Sequence, residues 1–401
     1  MAEERAVSAA PEESSPARPQ AATPNPAAAA TAAPNDTPTD ADTVTDAVTI
    51  AAPLDGHPVQ QAQDDVDAQD DNPTQQIQVD DGTGHAEGGY QSASETSSRA
   101  SASLTSSIRD YNFENRRRYH KYKEGQYHFP NDDPEQERED MKHAMVVHLC
   151  GGSLHSAPLE NPQKVLDVGT GTGIWAIDMG DECPEADIIG IDLSPIQPDF
   201  VPPNVQFIVD DAEVEWVYPD DTFDYVHLRN MAPSIKKWPE LFAEAYRVLK
   251  PGGWIELQEM RWVYDCDDGT MGPDYAPAKM GANINEGLAR LGVEMNAAES
   301  YPMRVENAGF VNLQHEVKKV PVGPWAKDND LGKIGDYCLA AIYDGLHAIT
   351  IGPFTRGLGW SPVEVEVFLI QVRKDLLNPA IHAHVYFHSL AAQKPDAPET
   401  E

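Results

Sequence analysis

The stretch VLDVGTGTGIWAIDMG, Val165–Gly180, joins an apolar run to three glycines at alternate positions, Gly169, Gly171 and Gly173, and then to a helical pattern. A short apolar run of this kind suits a strand buried on both faces, and glycines in the turn after it let a ligand approach the backbone closely. The stretch marks a nucleotide-binding α/β unit. Whether its turn holds a phosphate is the question that decides the rest.

On either side, the chain keeps the same alternation. KVLDVG, ADIIGIDLS, VQFIVDDA, FDYVHLR and GWIELQEM are strand-like runs separated by helical or turn segments, which predicts a doubly wound parallel sheet. The clearest crossover is WPELFAEAYRVLKPGG, where Leu241, Phe242, Ala245, Val248 and Leu249 share one helical face and Pro251-Gly252 ends it. Before the glycine turn, Asp133-Pro134 with Gln136 starts a helix whose Met141, Met145 and Leu149 recur at helical spacing. Two alternating runs, FVNLQHEVKKV and IHAHVYFH, close the sheet. Between them residues 326–380 form a helical insertion: Leu331, Ile334, Cys338, Ile342, Gly345 and Ile349 repeat at helical spacing, and Ser361-Pro362-Val363-Glu364 is a capping-box start. Gly345, Gly352, Gly357 and Gly359 offer hinges to such a cover.

Composition bounds the function. The chain has 401 residues and a net charge of −37, so a phosphate backbone is a poor partner and direct nucleic-acid binding is not expected. Residues 1–106 form an Ala/Pro/Thr/Asp-rich acidic tail; its first hundred residues hold 18 acids, three arginines and almost no large apolar side chain, which predicts disorder, as for residues 397–401. No secretory or mitochondrial leader and no membrane-spanning run is expected, and four scattered cysteines suit reduced thiols, so the expected location is intracellular, nucleus or cytoplasm. Tyr119, Tyr122, Tyr127 and Phe129 surround a basic cluster that reads as a segment over the ligand mouth, an import signal or an RNA-binding strip. His382, His384 and His388 share a strand face without matching Cys or carboxylate ligands, and no metal site is assigned.

Gly171, Gly173 and Ala176 satisfy a dinucleotide pattern, G-x-G-x-x-A. Three features favour a nucleoside carried on a sulfonium, S-adenosylmethionine. Asp167, two residues before Gly169, would repel a pyrophosphate and help a bound cation; Asp192 ends the next strand, where a carboxylate takes both ribose hydroxyls; Asp211 and the Ala212 amide end the third, where they can read an adenine edge. His227 and Glu259, at the ends of the fourth and fifth strands, are candidates for contact with the methyl acceptor, because ligands gather at the carboxyl ends of such strands.

VLDVGTGTGIWAIDMG, IIGIDLSPIQP, VQFIVDDAEVEW, FDYVHLR and EAYRVLKPGGWIELQE together resemble the successive motifs of class I S-adenosylmethionine-dependent methyltransferases. RRRYHKYKEGQYHFPNDDPEQEREDMKH and GPFTRGLGWSPVEVEVFLIQVRKDLLNP resemble the narrower LaeA-like fungal family, associated with control of secondary metabolism. The resemblance covers nearly all of residues 107–396. It implies a Rossmann-like seven-stranded sheet with its last strand antiparallel, a methyltransferase domain over 107–396, and S-adenosylmethionine as cofactor. It assigns Asp167, Gly169, Gly171 and Gly173 to the cofactor loop, Asp192 to ribose and Asp211 to adenine. It leaves the acceptor, a protein or a small metabolite, and any regulatory protein partner unnamed.

Overall fold

Val165, Leu166 and Val168 are fully buried because β4, Lys164–Val168, is hydrogen-bonded on both sides to parallel neighbours, β5 (Asp187–Asp192) and β7 (Phe223–Arg229). The computed structural model describes residues 90–92, 111–115, 117–123 and 125–397, all within one compact unit, Asp81–Glu401. Strand order across the sheet is β1-β6-β5-β4-β7-β8-β10-β9. Here β6 is Val205–Val209, β8 Leu249–Asp265, β9 Val311–Pro321 and β10 His384–Gln393. The seven expected strands are all present, and β10 runs antiparallel to both β8 and β9. The strand order reverses beside β4, so a crevice opens at the carboxyl ends of β4, β5 and β7, the usual ligand position in open α/β sheets.

Most of the expected tail lies outside the described residues, as do residues 398–401. Within it the structure departs from the expectation at one place: β1, Tyr90–Ser92, adds a parallel strand to the open edge of β6. An uncovered edge carries unpaired backbone groups, and a three-residue strand can satisfy them whatever its composition. A hairpin of β2 (Tyr111–Glu114) and β3 (Arg117–His120) stands apart from the main sheet.

Helices cover both sheet faces. On one, α3 (Trp238–Val248) buries Trp238, Leu241 and Phe242 against Leu166, Val226 and Leu257. On the other, α2 (Ile174–Glu182) buries Trp175, Ala176 and Met179 against Val165 and Tyr225. Helix α1 spans Asp133–Leu149, and its cap is Asp132, one residue before the expected start; the Asp132 carboxylate accepts from the Glu135 amide and from Arg117. Between the sheet strands lie also α4 (Ala276–Arg290) and α5 (Tyr301–Asn307). Among the described residues, no helix is long and apolar enough to cross a membrane.

The stretch between β9 and β10 is helical, with α6 at Asn329–Gly352 and α7 at Pro362–Leu376; the Ser361/Glu364 capping box is fully formed. These helices are not a detachable cover. Ile334, Cys338, Ile342, Val365 and Leu369 share one buried cluster with Met145 of α1, Met260 of β8 and Phe387 of β10. Three of the four glycines expected as hinges are packing contacts. A Cβ at Gly345 would meet the Arg138 side chain, one at Gly352 the His128 carbonyl, and one at Gly357 the Gly287 carbonyl; only Gly359, at φ +76°, stands in open space. Glycine is required where two backbones touch.

Gly357→Ala is expected to cost about 1–3 kcal/mol through overpacking against a backbone that has no rotamer to change. Gly359→Ala carries only the strain of its positive φ, about 1–2 kcal/mol, with no collision. Thermal unfolding of both variants checks this. A Gly357→Ala protein as stable as wild type would show that the packing of the turn Pro353–Gly357 on α4 is slack.

Candidate active site

The glycine turn is tied down by its own strand ends. Asp167 is buried with both carboxylate oxygens engaged: Thr170 Oγ1 donates to Oδ2 at 2.6 Å and His227 Nδ1 to Oδ1 at 2.7 Å. Across the crevice, Asp192 accepts from the Gly171 amide at 3.0 Å and from the Ser194 amide at 2.8 Å, one per oxygen. Burial pushes its carboxyl up to about 6, against the pull of those two amides. Gly171 has φ +58° and a Cβ there would meet nothing within 4 Å, so its missing side chain leaves space on the open side of the turn. Gly169 and Gly173 also have positive φ, and a Cβ there would run into Met231 and Phe207 respectively; Gly169 lines the cleft as well.

At the end of β6, Asp211 is buried; its Oδ1 accepts from the Glu213 amide at 2.9 Å and its Oδ2 lies 3.1 Å from Lys123 Nζ. The carboxylate raises the Lys123 ammonium above its ordinary value, first by that hydrogen bond. Ala212 accepts from Trp216 Nε1 through its carbonyl, while its amide has no partner among the described residues. Lys123 belongs to the aromatic-basic segment, of which Gln126, Tyr127, Phe129, Pro130 and Asn131 line the cleft over these strand ends. The segment is thus placed over the ligand mouth.

The cleft changes character along its length. One end carries Gly171, Asp192, Asp211 and Ala212; the other is walled by Trp262, Tyr264, Met280, Ile284, Ile342 and Ile349 from β8, α4 and α6. Between them, α1 presents Glu135, Arg138, Glu139 and Lys142. Arg138 bridges Glu135 and Glu139 at 2.5 Å each, and Lys142 reaches Glu139 at 2.8 Å. These four recur at i, i+3, i+4 and i+7 in EQEREDMK, a charged helix face that a search for apolar repeats passes over.

His227 and Glu259 part company. Glu259 lines the large cleft and is buried; its Oε2 accepts from the Ala232 amide at 2.8 Å and from the Tyr301 hydroxyl at 3.3 Å. Burial pushes it up to about 7, with the Ala232 amide pulling the other way. His227 does not reach that cleft. It is fully buried, stacks on Trp175 with ring centroids 3.7 Å apart, and opens on a smaller hollow beneath the glycine turn. Its expected place beside the acceptor is corrected because its side chain shares the face of Asp167, opposite to that of Glu259. The strand register, Asp167 against His227, brings this about.

The three histidines of β10 and its approach find other partners: His382 pairs with Asp268 at 2.6 Å, His384 with the Tyr386 hydroxyl at 3.3 Å and His388 with His315 at 3.1 Å. Among the described residues no group of three or more His, Cys, Asp or Glu side chains is placed to hold a metal ion.

The sequence profile described as a methyltransferase domain matches residues 136–315. The chain is 44% identical over 295 residues to methyltransferase pytC of Aspergillus terreus, covering 73% of this chain and 91% of that protein. It is 37% identical over 289 residues to the secondary metabolism regulator LAE1 of Cochliobolus heterostrophus, covering 70% and 94%. To the protein-methionine methyltransferase laeA of Emericella nidulans it is 30% identical over 289 residues, covering 70% and 76%. With the strand order and the glycine turn, these matches show that the chain belongs to the class I S-adenosylmethionine-dependent methyltransferases, in the LaeA-like group.

Proposed function

We propose that this protein transfers a methyl group to a small, mainly apolar acceptor carrying a weakly acidic hydroxyl, in the biosynthesis or regulation of fungal secondary metabolites. The observation that carries the reading is the two-ended cleft: acidic strand ends on one side, a wall of Trp262, Met280, Ile284 and Ile342 on the other. Residues fitting the cofactor are those at the acidic end. Asp192 keeps a second lone-pair direction on each oxygen for ribose hydroxyls, Asp211 and the free Ala212 amide offer an acceptor and a donor to an adenine edge, and Gly171 leaves the backbone bare. Bound there, S-adenosylmethionine supplies a methyl group on a sulfonium centre.

The protein's own contribution is placement, exclusion of water and removal of one proton. The apolar wall orients the acceptor and keeps water out. Glu259, with a carboxyl near 7, is divided between its two forms at neutral pH, a suitable poise for accepting the acceptor's hydroxyl proton.

The relatives favour a second reading, because two of them are named as a regulator and as a protein-methionine methyltransferase. Methyl-labelled S-adenosylmethionine separates the two when offered with a set of small phenols and enols and, in parallel, with a mixture of intact proteins that includes this chain. Label in the small-molecule fraction, lost in Glu259→Gln, is expected. Label confined to protein would overturn the small-molecule reading.

A further inference from the structure

The outward face of α7 is apolar and uncovered. Val363, Val367, Ile370 and Leu377 are exposed by 72%, 62%, 65% and 58%, whereas Val365, Leu369 and Val372 of the same helix are fully buried. The inward side chains pack in the cluster that holds Ile342 of the cleft wall. The outward ones, with the exposed Lys374 among them, follow one another at spacings of four, three, four and three residues. That is the seam of a helix that pairs with another helix.

The charges beside the seam choose the partner. Glu366 and Arg373 flank it on one side, Glu364 and Gln371 on the other. Within the helix Arg373 Nη2 reaches Glu366 Oε2 at only 3.5 Å, and Glu366 lies 3.7 Å from His347 Nε2 of α6. Both side chains stay partly exposed, by 36% and 48% for Arg373 and Glu366, so each has capacity for a further contact. A second copy laid antiparallel, with a two-fold axis between Val367 and Ile370, sets the Val367 of each chain on the Ile370 of the other. Lys374 then lies over Val363 of the second copy, its stem on the valine and its ammonium beside Glu364. The same axis sets Glu366 opposite Arg373, twice. A parallel pair would set Glu366 opposite the uncharged Gln371 and lose both contacts.

We infer that this protein pairs with a second copy of itself through α7, antiparallel and two-fold symmetric. The inference stands whatever the methyl acceptor is. The second copy braces the helix layer behind Ile342 without entering the cleft. With one helix a side the interface falls below about 1,200 Å² in all, the small and transient class, so a dissociation constant in the micromolar range is expected.

Sedimentation of the full chain over a concentration series that brackets this range is the test. Wild-type protein is expected to pass from monomer to dimer. Glu366→Arg and Arg373→Glu are each expected to weaken self-association roughly 5- to 30-fold, because each sets like charges across the axis twice. Mixed in equal amounts, the two variants are expected to pair with one another within about threefold of wild type, since the arginines of one then face the glutamates of the other. Mixing cannot restore the contact within a single helix, so recovery belongs to the antiparallel pair. Val367→Glu, at a position exposed in the single chain, is expected to weaken association roughly 100-fold or more while thermal unfolding of the monomer is unchanged. Wild-type protein that stays monomeric throughout overturns the inference. So does a dimer indifferent to Val367→Glu, or a mixture of the two charge variants that associates no better than either alone.

Discussion

Gly171→Val is expected to lower affinity for S-adenosylhomocysteine by roughly 100-fold or more, about 2.7 kcal/mol, while leaving the protein folded. The two effects separate because of where the new side chain points. A Cβ at Gly171 meets no protein atom within 4 Å, so the cost to the fold is confined to holding a β-branched residue at φ +58°, about 1–3 kcal/mol. The isopropyl group then occupies the face of the turn that a ligand must approach. Any relaxation of φ also rotates the Gly171 amide away from Asp192 Oδ2 and the Gly171 carbonyl away from Gln197, loosening the link between the first two strand ends. Gly173→Ala is the contrast, since its Cβ would run into Phe207 and the loss should appear in thermal unfolding. Calorimetry on a folded Gly171→Val protein checks the point, and wild-type affinity there would remove the turn from the cofactor site.

Glu259→Gln is expected to abolish most methyl transfer and to change how stability depends on pH. A carboxyl held near 7 in the folded chain, against 4.5 for an ordinary glutamate, binds its proton more tightly folded than unfolded. Its contribution is therefore fully present below about pH 4.5 and is lost as pH rises through 7. A displacement of that size is worth on the order of 3 kcal/mol. Glutamine keeps an oxygen for the Ala232 amide and the Tyr301 hydroxyl but cannot ionise. Relative to wild type, Glu259→Gln should gain about 3 kcal/mol between pH 4.5 and pH 8. Wild-type transfer should rise with pH through 7, and the variant should be about 100-fold slower or worse with that rise absent. Denaturant unfolding at several pH values reads the first effect. A constant stability difference across the range would place Glu259 in ordinary solvent, and an unchanged rate would deny it the proton.

What the sequence made legible was local. The glycine turn, Asp192 and Asp211 at successive strand ends, and the Ser361/Glu364 box each announce themselves within a few residues, and each is where the local pattern puts it. What it hid depends on partners far apart in the chain. Nothing near His227 tells that it stacks on Trp175 and faces Asp167 rather than the acceptor; strand register decides that. Arg229 looks like the polar end of a strand until His143, 86 residues earlier, is seen beside it. The charged face of α1 was hidden by expectation, because helix faces are found by apolar periodicity and this one lines a cleft. Gly345, Gly352 and Gly357 look like flexible points in sequence and are contacts in space, since absence of a side chain serves close packing as well as motion.

A crystal structure of the wild-type protein grown with S-adenosylhomocysteine tests the cofactor assignment most directly. The expected map shows the ribose hydroxyls on Asp192, the adenine edge against Asp211 and the Ala212 amide, and the sulfur over Gly171 facing the wall of Trp262 and Ile342. A nucleoside lying elsewhere, or a ribose turned away from Asp192, would contradict it.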